Sequence, residues 1–243
     1  MNIALDVGNT QIKAARFDGD ALEDFQQVGR GDWSRLQNWL YNHRGGKLLL
    51  SRVGALEAEQ EQWLEASFEL LRLDHRTPLP IENRYATPET LGADRLAAAV
   101  GAWARFPRHN CLVVDAGTCL TFEVIQAGGI YLGGNIAPGL DMRLEAMHRL
   151  TAGLPRAPKT LPAHPIGHST LTALQNGALR GALGEVETFI RWCETEFGSV
   201  NVLLTGGDAE FFAKNLKTRI FVCPNLVLEG LNQILRYNVE KND

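Results

Sequence analysis

The chain repeats one short polar motif, and each copy lies between two apolar runs. The first copy is IALDVGNTQIKAARF, in which Asp6, Gly8 and Thr10 follow the apolar residues, and the second is VVDAGTCLTFEVI. Acidic residues, glycine and threonine between two strand-like runs are typical of a β-hairpin. The repetition predicts two halves of the chain that begin with the same hairpin.

The residue types of this hairpin suit a phosphate group and a metal ion. Glycine lets the backbone approach a ligand closely, and neighbouring N–H groups together with an Asn or Thr side chain can donate to phosphate oxygens. An aspartate beside a phosphate requires a cation between them, and Lys13 would add positive charge. The alternative is a pair of ordinary hairpin turns, in which Asp, Asn and Gly are common. Because the motif occurs twice, the sequence favours a cleft with one phosphate loop on each wall.

The rest of the chain alternates strand-like and helix-like segments, which predicts an α/β fold. In the first half we expect strands at 2–6, 12–17 and 47–51 and helices at 33–43, 55–72 and in ADRLAAAVGAWARF. In the second half we expect strands at 111–115, 119–125, 130–132, VNVLLT and RIFVC, a glycine turn with a helix in GGNIAPGLDMRLEAMHRL, a helix at 169–196 and a closing helix. The helix-breaking segment FPRHN predicts a boundary between an N-terminal lobe at 1–107 and a C-terminal lobe at 108–243.

Composition limits the partners of this chain. The 28 acidic and 24 basic residues give a formal charge of −4, and no segment concentrates Lys or Arg, so nucleic acid is not an expected partner. No apolar stretch approaches the roughly 18 residues of a membrane span, so no membrane contact is expected. The four cysteines lack CxxC spacing and are expected to be reduced core residues. Together these features predict a cytosolic globular protein.

A second type of site is indicated by the segment around GADR. Asp94 and Arg95 follow Gly92 and fall in the first turn of a predicted helix. Asp94 could simply complement the helix dipole, and Arg95 could be a surface charge. A kinase needs a carboxylate near the acceptor hydroxyl, and the forked donors of an arginine suit a substrate carboxylate. The pair therefore predicts the acceptor site of a phosphotransferase.

Other motifs are absent or ambiguous. The chain has no G-x-x-x-x-G-K-[ST] motif, and the turn GGDAEFF lacks the spacing of a dinucleotide site, although it could lie against the sugar or base of a nucleotide. His164 and His168 are spaced as in a helical metal site, but Pro165 between them disfavours a helix. The spacing of Gly177, Gly181 and Gly184 predicts close backbone packing on the long helix.

The whole chain resembles the type III pantothenate kinase family. The resemblance rests on DVGNTQIK, GADR, DAGTCLT, GGNIAPG, ST before LTALQNG, and LTGGDAEFF, which occur in this order. It implies a two-lobed actin-like ATPase fold, of duplicated ribonuclease-H-like type, with a cleft between the lobes. It further implies ATP-dependent phosphorylation of pantothenate to 4′-phosphopantothenate, the first step of coenzyme A synthesis, with Mg²⁺, a monovalent cation (K⁺ or NH₄⁺) and a homodimer.

The resemblance also implies roles for individual residues. Asp94 matches the proton acceptor, Asp115 the monovalent-cation site, and Asp6 the residue that holds Mg²⁺ directly or through water. ATP would contact Asp6, Val7, Gly8, Asn9, Thr10, Gln11, Ile12, Lys13 and Thr118. Pantothenate would contact Tyr85, Gly92, Ala93, Asp94, Arg95 and Thr170. The alternatives are another small-molecule kinase, a phosphatase acting with water, or a non-catalytic nucleotide-binding regulator of the same superfamily.

Overall fold

A computed structural model describes residues 1–241 of the chain, and its first half alternates strands and helices. The elements are β1 (Asn2–Val7), β2 (Gln11–Asp18), β3 (Ala21–Gly29), α1 (Trp33–Tyr41), β4 (Lys47–Arg52), α2 (Ala58–Ser67), β5 (Glu69–Arg72), β6 (Glu82–Asn83) and α3 (Ala93–Arg105).

The second half repeats this alternation. Its elements are β7 (Asn110–Ala116), β8 (Cys119–Gln126), β9 (Ile130–Gly133), β10 (Ile136–Pro138), α4 (Leu140–Arg149), α5 (Thr170–Gln175), α6 (Gly181–Phe197), β11 (Val200–Thr205), α7 (Ala209–Asn215), β12 (Ile220–Val222) and α8 (Leu226–Glu240). A π-helical turn, Asn176–Arg180, connects α5 to α6, so the long helix predicted at 169–196 is confirmed in extent. Among the described residues, no helix is long and apolar enough to cross a membrane.

The chain forms two compact units. The first contains Met1–Arg108, Ile125–Gly133 and the chain from Asn225 onward, and the second contains His109–Val124 and Gly134–Pro224. The predicted lobes instead placed everything after residue 107 in one unit. The closing helix α8 joins the first unit because it packs on α3 and β1. The boundary after Arg108 lies next to the one expected from FPRHN.

The two units share one strand order around their hairpins. In the first unit the sheet runs β3-β2-β1-β4-β5, with β1 antiparallel to β2 and parallel to β4. In the second unit the order is β8-β7-β11-β12, with β7 parallel to β11, and β10 pairs with β8. Each hairpin therefore has a parallel strand beside its first strand, which places two strand ends next to the turn.

In the first unit, one local prediction was wrong and one strand was missed. Residues 55–72 were expected to form one helix, but α2 ends at Ser67 and β5 follows at Glu69–Arg72. The leucines of ELLR pair with β4 instead, because Leu70 and Leu71 lie opposite Leu48 and Leu49 in a parallel register. The strand β3 was not predicted, since its residues are mostly polar and only partly buried.

The first unit has an apolar core, and a close helix crossing holds the helix that carries the GADR segment. One group of buried side chains joins β1, β2 and β4 to α1 and α2, among them Leu5, Ile12, Leu36, Leu50 and Leu64. The helices α3 and α8 also meet through their backbones. A Cβ on Gly230 would lie 1.8 Å from the Ala97 carbonyl oxygen, and one on Gly101 would lie 2.4 Å from that of Leu226. Glycine is required at this crossing because no side chain fits between the two backbones.

Candidate active site

The first hairpin presents polar groups at its turn and buries the apolar residues beside them. The turn is closed by the Gly8 N–H, which donates to the Gln11 carbonyl at 3.0 Å. Asn9, Thr10 and Gln11 are exposed, so their groups can meet a ligand. The side chains of Val7 and Ile12 are almost fully buried, at 0% and 1% exposure, so these two residues can offer a nucleotide only their backbone atoms.

Asp6 is a partly buried carboxylate with one lysine and one serine near it. It lies opposite Lys13 in the hairpin register. Its Oδ1 atom accepts a hydrogen bond of 3.0 Å from the Ser51 hydroxyl. Burial and the charge of Asp94 raise the pKa of Asp6 to about 6, although Ser51 and Lys13 both act to lower it. Burial thus has a larger effect on the pKa of Asp6 than Ser51 and Lys13, which both favour the ionised carboxylate. A cation bound at this carboxylate would lower the free-energy cost of its charge.

Asp94 lies in the first turn of α3, as the sequence predicted. Its Oδ1 atom accepts a hydrogen bond of 2.8 Å from the Arg95 N–H. Gly92 lies close to the same oxygen, because a Cβ on Gly92 would lie 2.6 Å from it. Burial raises the pKa of Asp94, and the helix N–H groups and Arg95 oppose the shift. The carboxylate therefore complements the helix start and also acts on Asp6 through its charge.

Arg95 and Tyr85 lie together beside a layer of small and aromatic residues. Arg95 is buried, with only 6% of its surface exposed, and its guanidinium carbon lies 5.6 Å from the centre of the Tyr85 ring. Tyr85 stacks on the fully buried Tyr131, with ring centres 6.4 Å apart. A Cβ on Gly133 would lie 2.9 Å from Tyr85 Cδ2. Tyr131 and Gly133 thus form a platform that fixes the ring of Tyr85 near Arg95.

The second hairpin is held by glycines from two other segments. Asp115 is partly buried at the end of β7, and Thr118 is exposed in the turn. A Cβ on Gly206 would lie 2.5 Å from Asp115 Oδ1, and one on Gly139 would lie 2.4 Å from the Gly117 carbonyl oxygen. Gly206 also has a φ of +91°, which other residues rarely adopt. The motifs GGNIAPG and LTGGDAEFF therefore support the second hairpin through close backbone contact.

Thr170 is exposed in the first turn of α5, in the second unit. Ser169 caps this helix, because its hydroxyl accepts from the Thr172 N–H at 3.2 Å. The preceding loop is tied to the π-helical turn by Asn176 Nδ2, which donates to the His164 carbonyl at 3.0 Å, and by Arg180, which donates to that of Pro162 at 2.7 Å. These bonds give the loop that leads to Thr170 a defined position within its unit.

The donor set around Asp6 fits a magnesium ion held together with phosphates. Carboxylate and hydroxyl oxygens are the hard ligands that Mg²⁺ prefers, and Mg²⁺ is usually bound by one or two carboxylates plus substrate phosphates. Within residues 1–241, no group of three or more His, Cys, Asp or Glu residues is arranged to hold a metal ion. A single carboxylate beside a polar hairpin turn can hold a metal ion that is also bound by the phosphates of a nucleotide.

Comparison with known proteins identifies the family. A family model of type III pantothenate kinase matches residues 2–192. A type III pantothenate kinase of Flavobacterium johnsoniae is 38% identical over 244 residues, covering all of both chains. That of Cytophaga hutchinsonii is 40% identical over 242 residues, covering 98% of this chain and 100% of the other. The chain belongs to the type III pantothenate kinase family.

Solved structures place this kinase family within a wider fold. A conserved Baf family transcriptional activator of Campylobacter jejuni has a TM-score of 0.64 at 20% identity, covering 98% of this chain and 99% of the other. A 2-dehydro-3-deoxygalactonokinase of Sinorhizobium meliloti has a TM-score of 0.58 at 14% identity, covering 98% and 99%. At these identities the likeness concerns the fold alone. It confirms the predicted α/β fold of the actin-like ATPase and sugar kinase type.

Sequence reasoning missed two polar residues that this member of the kinase family places at its first hairpin. Ser51, the residue before the last in β4, donates to Asp6. The Arg30 guanidinium, at the end of β3, lies 3.5 Å from the Gly8 carbonyl and also donates to the Ala55 carbonyl. A serine that directly follows three leucines in a strand parallel to β1 was the available signal for Ser51. Arg30 stands in a glycine-rich loop that carries no such signal.

Proposed function

We propose that this chain transfers the γ-phosphoryl group of ATP to the hydroxyl of pantothenate, forming 4′-phosphopantothenate in the first step of coenzyme A biosynthesis. Membership of the type III pantothenate kinase family supports this activity. The structural observation that carries it is the carboxylate of Asp94, which is partly buried and close enough to the hairpin carboxylate of Asp6 to raise its pKa. A metal-binding carboxylate and a separate acceptor-side carboxylate are what a kinase requires.

Asp94 orients the acceptor and takes its proton. As the pantothenate oxygen bonds to the γ-phosphorus, the bond from this phosphorus to the β,γ-bridging oxygen breaks and ADP leaves. The hydroxyl proton passes to the Asp94 carboxylate. Burial raises the pKa of Asp94, which makes its carboxylate a better proton acceptor than an ordinary aspartate. Because such transfers are largely dissociative, alignment of the hydroxyl matters more than the strength of the base.

The first hairpin binds the phosphates of ATP. Its exposed turn supplies N–H groups and the side chains of Asn9, Thr10 and Gln11, and Thr118 supplies a hydroxyl from the second hairpin. Lys13 adds positive charge, and Asp6 is the residue that would hold Mg²⁺, directly or through water. Bound Mg²⁺ would neutralise the negative charge that develops on the phosphate oxygens.

Tyr85 and Arg95, which lie together above the platform of Tyr131 and Gly133, are proposed to bind the acceptor. Arg95 is suited to the pantothenate carboxylate, because its planar fork can donate two parallel hydrogen bonds. Gly92 and Ala93 offer backbone groups at the start of α3. Thr170, exposed in the first turn of α5, is proposed as a further pantothenate contact. An organic acid with a hydroxyl group is thus preferred over water as the acceptor.

Asp115 is proposed as the site of a monovalent cation. Gly206 packs directly against its carboxylate, which gives the group a fixed position at the second hairpin. We expect K⁺ or NH₄⁺ to support turnover and Na⁺ to support it poorly, and we expect Asp115→Asn to abolish the difference. Equal wild-type activity in K⁺ and Na⁺ would contradict this assignment.

A homodimer is supported by an open groove on α6. A cavity of about 670 Å³ is lined by Phe122, Asn135, Gly181, Gly184, Glu185, Thr188, Phe189 and Trp192. Trp192 is 49% exposed, and a Cβ on Gly181 or Gly184 would meet nothing within 4 Å. The close packing predicted for these glycines is therefore wrong within the described chain, and a second copy is proposed to supply it.

The cytosolic location of the protein stays a prediction.

The deciding experiment measures ADP formation with and without pantothenate, in Mg²⁺ and K⁺. We expect pantothenate-dependent turnover in the wild type and a fall in kcat of about 10²-fold in Asp94→Asn, since this is the usual contribution of a general base. Asp32→Asn, which changes an exposed aspartate at the start of α1, is the matched control and should keep full activity. ADP formation at the same rate without pantothenate would instead indicate a phosphatase.

A further inference from the structure

The hydroxyl of Ser51 is buried directly beside the carboxylate of Asp6. The two residues are register partners in the parallel pair β1 and β4. Ser51 is 0% exposed, and its Oγ donates to Asp6 Oδ1 at 3.0 Å. A buried hydroxyl needs a partner, and at this position its partner is the carboxylate that the proposed function assigns to Mg²⁺.

The loop after Ser51 is fastened to the same hairpin. The N–H groups of Val53 and Gly54 both donate to the Val7 carbonyl, at 3.1 and 2.9 Å. A Cβ on Gly54 would lie 2.5 Å from the Gly8 carbonyl oxygen, so the two backbones touch. Arg30 completes the connection by donating to the Ala55 carbonyl. The strand end that carries Ser51 therefore cannot shift without moving the phosphate-binding turn.

The second unit repeats this arrangement with different residues. Thr205 is the register partner of Asp115 in the parallel pair β7 and β11, and it is 2% exposed. The Asp208 N–H donates to the Ala116 carbonyl at 2.9 Å, just as the Gly54 N–H donates to that of Val7. Each hairpin aspartate thus has a buried hydroxyl residue beside it on the neighbouring parallel strand. The recurrence indicates that the hydroxyl belongs to the hairpin site and is not an accident of packing.

We propose that Ser51 is a positioning residue, which fixes the orientation of the Asp6 carboxylate so that its other oxygen faces the metal bound with ATP. This inference rests on the proposed function of Asp6. A carboxylate can rotate about its last side-chain bond, and a metal site gains affinity when a second residue fixes that rotation. A neutral hydroxyl does so without adding a positive charge that would compete with Mg²⁺.

The inference is tested by calorimetric binding of a non-hydrolysable ATP analogue with and without Mg²⁺. The wild type should bind the analogue more tightly with Mg²⁺. In Ser51→Ala we expect this gain to fall about tenfold, the usual scale for losing a group that orients a metal ligand, while binding without Mg²⁺ stays unchanged. Ser51→Thr keeps the hydroxyl and should restore the gain, since threonine occupies the matching position at Thr205.

Thr77→Val is the matched control, because Thr77 is 8% exposed in the same unit and its hydroxyl donates to the Arg72 carbonyl at 3.2 Å. It should lose stability but keep the Mg²⁺-dependent gain. The inference would be overturned if Ser51→Ala and Thr77→Val lost the Mg²⁺-dependent gain equally, or if Ser51→Ala kept the wild-type gain. If Ser51→Ala does not fold, Ser51→Cys serves instead and should also weaken the gain, because a thiol is a poor donor. A Mg²⁺-dependent effect of Ser51 in a protein that does not phosphorylate pantothenate would contradict the proposed function alone.

Discussion

At the scale of single residues, the charge of Asp6 opposes folding in the absence of a cation. Its pKa is about 6 in the folded chain against an ordinary value of 3.8, so the folded state holds the proton more tightly than the unfolded state. The free energy of unfolding therefore falls as the pH rises between these two values. Above the folded pKa the ionised carboxylate costs about 3 kcal/mol, at about 1.4 kcal/mol for each pKa unit.

Asp6→Asn should remove this pH dependence, because asparagine stays neutral and keeps an oxygen for Ser51. We expect the nucleotide-free variant to be more stable than the wild type above about pH 6, and the difference to shrink towards about pH 4. Urea unfolding in a chelator across this range measures it. Asp32→Asn makes the same replacement at an exposed position and is the control for the substitution itself. A constant difference between Asp6→Asn and the wild type would show that burial does not perturb Asp6.

Arg95 provides a second test at this scale. Arg95→Lys keeps the positive charge but replaces the planar fork with a single ammonium, so a substrate carboxylate loses one of two parallel hydrogen bonds. We expect the KM for pantothenate to rise roughly tenfold, with a smaller effect on the KM for ATP. Steady-state kinetics with each substrate varied in turn measures both values. Arg84→Lys, in an exposed ion pair with Glu82, is the control. An unchanged KM for pantothenate would remove Arg95 from the acceptor site.

At the scale of elements, patterns within one segment were predictable and long-range pairing was not. The apolar runs around Asp6 and Asp115 predicted both hairpins, and the alanines after Gly92 predicted α3. ELLR was assigned to a helix because its leucines fit a helical spacing, whereas the parallel edge of β4 draws them into a strand. Ser51 was missed for the same reason, since its hydrogen-bond partner Asp6 lies on a neighbouring strand that is distant in sequence.

The position of the segment with Asp94 and Arg95 depends on the crossing of α3 and α8. In Gly230→Ala the new Cβ would lie 1.8 Å from the Ala97 carbonyl oxygen, and a backbone atom cannot move aside as a flexible side chain can. We expect a loss of about 3 kcal/mol in the free energy of unfolding, as for severe overpacking. Urea denaturation measures the loss.

Gly177→Ala is the matched control for this crossing. It is also a helical glycine, but a Cβ there would meet nothing within 4 Å. Alanine should make the protein more stable by about 0.5–1 kcal/mol, because it loses less backbone entropy in a helix than glycine does. If Gly230→Ala behaved like Gly177→Ala, the helices would not be in backbone contact.

At the scale of the whole molecule, the same arrangement of a hairpin and a parallel strand occurs in both units with different residues. In both units an aspartate lies near the end of the first hairpin strand, and a buried hydroxyl residue is its partner on the parallel strand. The carbonyl of the residue after the aspartate accepts a hydrogen bond from an N–H in the loop that follows the parallel strand. The first unit adds α3 with Asp94 and Arg95, and the second adds the loop before Thr170. The same strand arrangement thus supplies a polar hairpin turn in each unit, and the proposed function assigns both turns to the phosphates of ATP.

The groove on α6 gives the last prediction, which concerns assembly. Gly181 and Gly184, where an added Cβ would meet nothing within 4 Å, lie along the same open groove as the rings of Phe189 and Trp192. Exposed apolar grooves of this kind are typical of contacts between chains. We expect the wild type to be a dimer by light scattering coupled to size exclusion. Gly184→Arg should give a monomer, because the long charged side chain fills the groove and loses hydration on association. Gly153→Arg adds the same charge at another glycine with no atom within 4 Å and should leave the dimer intact. A dimer that persists in Gly184→Arg would place the contact between subunits elsewhere.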